Sequence, residues 1–150
     1  MTVGLFIVLG IAFGVAIFAL IIWVVVRQAS RTADAWKSAN PEAEVLLTAN
    51  GANCAAFPGI EGTLRGNGLL VLTKNELHFW MWGIDKRLMI PLRDIKFVGT
   101  TRKFAGKLGR LPMLHIGFHE RGDSRETAWT LANASSWVEE IERIKDGVIQ

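Results

Sequence analysis

The sequence predicts one membrane-crossing helix at the N-terminus, followed by a single mainly-β domain. That domain is a bent antiparallel sheet or barrel of seven short strands, closed by a C-terminal helix. Three observations predict this. Val3 to Val26 reads VGLFIVLGIAFGVAIFALIIWVVV and contains no charge, Pro, Asn or Gln. After Pro41 the chain breaks into short apolar runs separated by turn residues. Near the end Trp137, Ile141, Ile144 and Val148 recur at helical spacing. The chain therefore divides into a transmembrane helix at 1–27, a helical linker at 28–41 and a β domain at 42–150.

As a helix, Val3 to Val26 reaches about 36 Å at ~1.5 Å per residue, enough for a hydrocarbon core about 30 Å thick. A cleaved signal peptide has a positive n-region and a shorter apolar stretch. Here Met1-Thr2 carries no Lys or Arg, and the nearest small-residue site, Ala33-Asp34-Ala35, lies beyond Arg27 and Arg31. Arg27, Arg31 and Lys37 follow the span, so the positive-inside rule puts the C-terminal side in the cytoplasm and the N-terminus outside. The lone Cys54, which cannot form an internal disulfide, agrees with a reducing compartment. The expected location is an inner or plasma membrane. Gly10 and Gly14 form a small-xxx-small pair on the span, a candidate face for homodimerisation. Trp23 sits where an indole prefers the interface.

Arg27 to Ala39 is alanine-rich and continues the helix until Asn40-Pro41 stops it. Beyond Pro41, Glu44–Thr48 and Ala52–Phe57 read as one strand bent at Asn50-Gly51. Pro58 to Gly68 is a loop containing Gly59 and Gly62, and Leu69–Thr73 follows as a strand. Lys74-Asn75 is a tight turn into Glu76–Trp82, where Leu77, Phe79 and Met81 alternate with His78, Trp80 and Trp82. Arg87–Ile90, Ile95–Thr101, Met113–Phe118 and Thr127–Leu131 complete the strands. Ser136-Trp137-Val138-Glu139 fits a capping box at the start of the last helix.

The run Gly68-Leu69-Leu70-Val71-Leu72-Thr73-Lys74-Asn75-Glu76-Leu77-His78-Phe79, then Ile90-Pro91-Leu92-Arg93-Asp94-Ile95, resembles the hairpin and step of GRAM and bacterial PH-like domains. Trp137 on the closing helix supports the likeness, which covers roughly 42–146. The resemblance implies the pleckstrin-homology superfold and a binding module rather than an enzyme. Its implied ligands are lipid headgroups, peptides or other proteins. The first inter-strand loop, basic in lipid-binding members, offers Arg65 here.

No catalytic, cofactor or metal motif emerges. G-x-S-x-G, H-E-x-x-H and Walker A patterns are missing from the sequence. His115 and His119, four apart on a strand, lie about 13 Å from each other, too far to share a metal. A net charge of +3 is too small to argue for nucleic acid. The 102–110 stretch is the candidate lipid-facing segment. Lys96, Arg102, Lys103, Lys107 and Arg110 bracket Phe104, with no acid between Asp94 and Glu120, and the stretch reads as a long loop between the fifth and sixth strands. Trp80 and Trp82 form a candidate partner face, because an apolar outer strand face needs a cover. A transmembrane helix already makes attachment effectively irreversible. A partner protein held at the membrane is therefore the first expectation, and anionic-lipid contact through 102–110 the alternative.

Overall fold

A computed structural model of the chain describes residues 2–60 and 64–148. Gly62 of the first loop lies outside the described residues, as does the side chain of Val148. Helix α1 (Thr2–Ala39) is a single unbroken helix of 38 residues. The segment expected as a linker thus continues the apolar helix without a break. It ends where Asn40-Pro41 predicts, with the Asn40 backbone N–H and side-chain Nδ2 both donating to the Trp36 carbonyl, at 3.0 and 2.9 Å. Up to Arg27 its described side chains are exposed. From there Gln28, Ala29, Thr32, Ala33 and Trp36, spaced three and four apart, are covered by the domain.

Seven strands form one antiparallel sheet, β1 (Val45–Cys54), β2 (Gly66–Thr73), β3 (Glu76–Met81), β4 (Arg87–Pro91), β5 (Ile95–Phe104), β6 (Lys107–Glu120) and β7 (Asp123–Thr130), in the order β4-β3-β2-β1-β7-β6-β5. Two meanders meet along β1 and β7, joined by the pairs Asn53↔Thr130 and Cys54↔Trp129. β1 bends at a register shift between Asn50 and Ala52, around Gly51. The sheet is the expected bent antiparallel one, not closed by backbone pairing, with β4 and β5 as its edges. Pro91, which has no N–H to continue a ladder, ends β4, and a 3-10 turn at Leu92–Asp94 leads into β5.

Helix α2 (Ala134–Val148) covers that opening against β5 and β6, and Lys145 Nζ donates to the Ile95 carbonyl at 2.8 Å. Trp137 and Ile141 bury their side chains in the core with Leu70, Leu72, Phe79, Ile116 and Trp129, and Ile144 packs at its margin. The expected capping box is not formed. α2 begins at Ala134, after Asn133 in the left-handed region, so Ser136 lies inside the first turn and its backbone N–H bonds the Asn133 carbonyl.

The 102–110 stretch is corrected from loop to hairpin. β5 and β6 pair from Ile95↔Phe118 to Phe104↔Lys107, and the turn is only Ala105-Gly106, both at positive φ (46° and 75°). That is the twist a two-residue hairpin requires.

On β3, Leu77, Phe79 and Met81 enter the core, as the alternation predicts. The opposite face is covered by α1 itself. Trp36 is 3% exposed and packs with Leu69 and Val71, flanked by Ala33, Ala43 and Trp80. Its ring meets His78 edge-on at 5.5 Å. His78 is buried and its Nε2 lies 2.9 Å from Glu76 Oε2. Burial pushes its pKa down from the ordinary 6.5, and Glu76 offsets part of the shift.

Two expectations follow. Truncating a buried Trp costs about 3–5 kcal/mol. A fragment starting at 42, or a 27–150 fragment carrying Trp36→Ala, should therefore melt well below the unaltered 27–150 fragment; equal melting curves would show that α1 does not dock. The second concerns pH. His78 binds a proton more readily when α1 is undocked or the chain unfolded, so its contribution is present above about 6.5 and is lost as pH falls below that value. The 27–150 fragment should lose more stability between pH 7.5 and pH 5 than its His78→Gln variant does, and parallel losses in the two would remove His78 from the account.

Candidate functional site

The geometry is set where α1 leaves the domain. There the β3–β4 turn approaches the helix so closely that a Cβ on Gly83 would lie 2.7 Å from Gln28 Nε2, and Asn50 Nδ2 donates to the Ala29 carbonyl at 3.4 Å. Ala29 is three residues past Val26, about 4–5 Å along the helix axis. Contacts run onward from this point. The Trp82 ring lies against Gly51, and its backbone N–H donates to the Asn67 carbonyl at 2.8 Å. Asn53 Nδ2 donates to Asn67 Oδ1 at 2.7 Å, and Lys107 Nζ donates to Asn53 Oδ1. Arg65 Nη2 donates to the Ala105 carbonyl at 2.7 Å. The β5–β6 hairpin tip is therefore tied to the end of the domain from which α1 emerges. The β2–β3 turn, the 3-10 turn and Ile95 gather at the opposite end, where Leu92 N–H bonds the Asn75 carbonyl.

The candidate lipid-facing residues separate. Arg102, Lys103 and Arg110 are exposed on the hairpin. Lys107 is engaged by Asn53. Lys96 stands at the far end of β5, beside Glu142 and Asp146 of α2. Phe104 does not project from the tip. It packs on Ala55, Met113 and Ala128, with its ring 5.0 Å from His115. The exposed apolar side chain near the tip is Leu108, at 76%. Strand register decides this: Lys103 pairs with Leu108, whereas Phe104 pairs with Lys107. The acids near these basic residues stand away from the hairpin. Asp85 is held by Arg87 at 2.9 Å beside the α1 exit. Glu44 with Lys74, and Glu142 and Asp146 of α2, lie toward the other end.

Of the candidate partner face, Trp80 packs against the α1 cluster on one side and carries the Arg87 guanidinium at 4.1 Å from its ring. The chain's own helix thus takes a surface that the sequence left for a partner. The outer face of β5–β7 stays open. Phe97, 50% exposed, lies 5.0 Å from the His115 ring, and His115 Nε2 is 3.1 Å from Glu126 Oε2. Gly10 and Gly14 lie on the exposed part of α1 with open space beside them. Cys54 is fully buried, with Sγ 3.8 Å from Thr127 Oγ1, and burial pushes its thiol pKa up. Among the described residues no three His, Cys, Asp or Glu side chains are grouped to hold a metal.

α1 is the one helix among the described residues that is long and apolar enough to cross a membrane. None of its most apolar stretch is buried. No protein-family model matches the chain, and no curated protein matches it. Solved structures do. The N-terminal PH domain of Vps36 is similar at a TM-score of 0.53 and 15% identity, over 73% of this chain and 83% of that one. The C-terminal domain of an unknown protein from Leishmania infantum is similar at 0.51 and 16%, over 75% and 96%. A chain of the 8S snRNP assembly intermediate is similar at 0.54 and 13%, over 71% and 85%. At these identities the likeness concerns fold alone: the β domain with its closing helix has a PH-like fold, preceded in this chain by a candidate membrane-crossing helix.

Proposed function

We propose that the chain is a single-pass protein of an inner or plasma membrane, N-terminus outside, whose cytoplasmic PH-like domain is a non-catalytic binding module that holds a partner protein at the membrane. The observation that carries this reading is the continuity of α1 from the exposed apolar stretch to Trp36, buried on the sheet. One element supplies both retention and orientation, so neither requires a lipid ligand. Retention of the helix is supported by Ala33-Asp34-Ala35, which lies in the docked helix rather than in the loose chain that proteases prefer. The partner surface in this reading is the open face around Phe97. Phe97 is held by His115 and lies over Gly99, where a Cβ would come 2.8 Å from its ring. A pre-ordered aromatic is the kind of anchor on which interfaces concentrate their energy.

Two measurements test this. Alkaline phosphatase fused after the last residue should be inactive and a fluorescent protein fused there bright; the reverse result overturns the orientation. In native membranes, a photo-crosslinking residue at Phe97 should give one discrete protein adduct, while the same residue at Glu139 on α2 gives none. No adduct at Phe97, or the same adducts from both positions, overturns the partner surface.

A further inference from the structure

Resting on the reading that α1 spans the membrane, we infer that the β5–β6 hairpin lies on the anionic headgroups of that same membrane, with Leu108 entering the interface and Arg102, Lys103 and Arg110 at the phosphates. The bilayer is the occupant because of where α1 leaves the domain. The helix is unbroken, and the domain already touches it at Gln28 and Ala29, about 4–5 Å past the last apolar residue of the span. The surface surrounding that exit therefore meets headgroups, with no linker to hold it away. The hairpin tip belongs to this surface through the Asn67–Asn53–Lys107 and Arg65–Ala105 hydrogen bonds.

The chemistry of the tip fits its place. Leu108 is among the most exposed large apolar side chains of the β domain, and a leucine held that far into water gains from leaving it. Three exposed cations flank it, and β5 and β6 carry no acid before Glu120 at the end of β6. Basic residues near an anionic leaflet are attracted over a short, salt-dependent range. The contact does not recruit the protein. Because α1 already fixes the domain around its own axis, the contact sets the tilt of the docked helix and domain against the bilayer, and with it the height of the Phe97 face above the membrane.

The test uses the full chain in vesicles of phosphatidylcholine mixed with phosphatidylglycerol, with an environment-sensitive dye on Leu108→Cys, Trp23→Cys or Glu139→Cys and spin-labelled lipid as quencher. Cys54 is fully buried and its thiol pKa is pushed up by that burial, so it leaves the engineered thiol as the labelled one. Quenching is expected at 23 and 108 and not at 139. It should disappear at 108, but not at 23, in pure phosphatidylcholine, in Arg102→Glu/Lys103→Glu/Arg110→Glu, and in 1 M salt, where the Debye length is about 3 Å. The salt arm leaves the hairpin sequence unaltered and so is independent of how the variant folds. Quenching at 23 without quenching at 108 overturns the hairpin contact and leaves the span standing. Quenching at 108 that ignores both lipid charge and salt overturns the anionic-headgroup assignment. A dye at 23 that lipid does not quench removes the span, and the inference with it.

Discussion

The burial of Trp36 on the outer face of β2 and β3 is the contact on which the rest of the molecule depends. A PH-like sheet ordinarily has one face in the core and one in water, and antiparallel sheets tolerate that division. Here Leu69, Val71, His78 and Trp80 make the second face apolar, and α1 covers it. The same stripe that covers the face also stops the domain from swinging on its tether. The docking is well packed but not fully satisfied, because the Trp36 indole nitrogen is buried without a hydrogen-bond partner. Such a group costs about 1–3 kcal/mol, a cost that the unpartnered Trp129 indole nitrogen in the main core also carries. The charge-sensitive neighbour of that contact is His78.

Much of the domain was legible because its signals are local. Lys74-Asn75 between apolar runs marks the β2–β3 hairpin, and the alternation Leu77, Phe79, Met81 assigns the core face. Ile90-Pro91-Leu92 marks a strand end, since proline cannot extend the ladder. The stripe Trp137, Ile141, Ile144 assigns the packed side of α2. What escaped is non-local or locally atypical. The β5–β6 turn uses Ala105 at positive φ, a conformation uncommon for any residue but Gly, Asn or Asp. Gly106 is the one local turn residue, and without a second such residue the sequence does not distinguish a tight hairpin from a loop. Without the register the sequence does not separate Phe104, which packs, from Leu108, which projects.

The stripe Gln28, Ala29, Thr32, Ala33 and Trp36 was hidden for a different reason. Its only large apolar member is Trp36, and the rest are small or polar, so no hydrophobic periodicity announces a packed face. What makes the residues suitable is closeness rather than apolarity. The small side chain of Ala29 leaves its carbonyl within reach of Asn50, and Gln28 meets a glycine. Trp80 and Trp82 were recognisable as unusual aromatics on an outer face. Only the three-dimensional arrangement shows that the cover comes from the N-terminal side of the same chain.

An unbroken helix also makes the domain a lever. An apolar stretch of about 36 Å is longer than a hydrocarbon core of about 30 Å, and bilayers accommodate such excess by tilting the helix. With no break between Val26 and Trp36, a tilt of α1 in the proposed membrane carries the domain through the same angle. A point some 20 Å from the helix axis, a typical half-width for a domain of this size, moves about 3–4 Å toward or away from the lipid for each 10° of tilt. On the proposed reading that α1 crosses a bilayer, membrane thickness becomes a mechanical input, read out as the height of one edge of the sheet above the lipid.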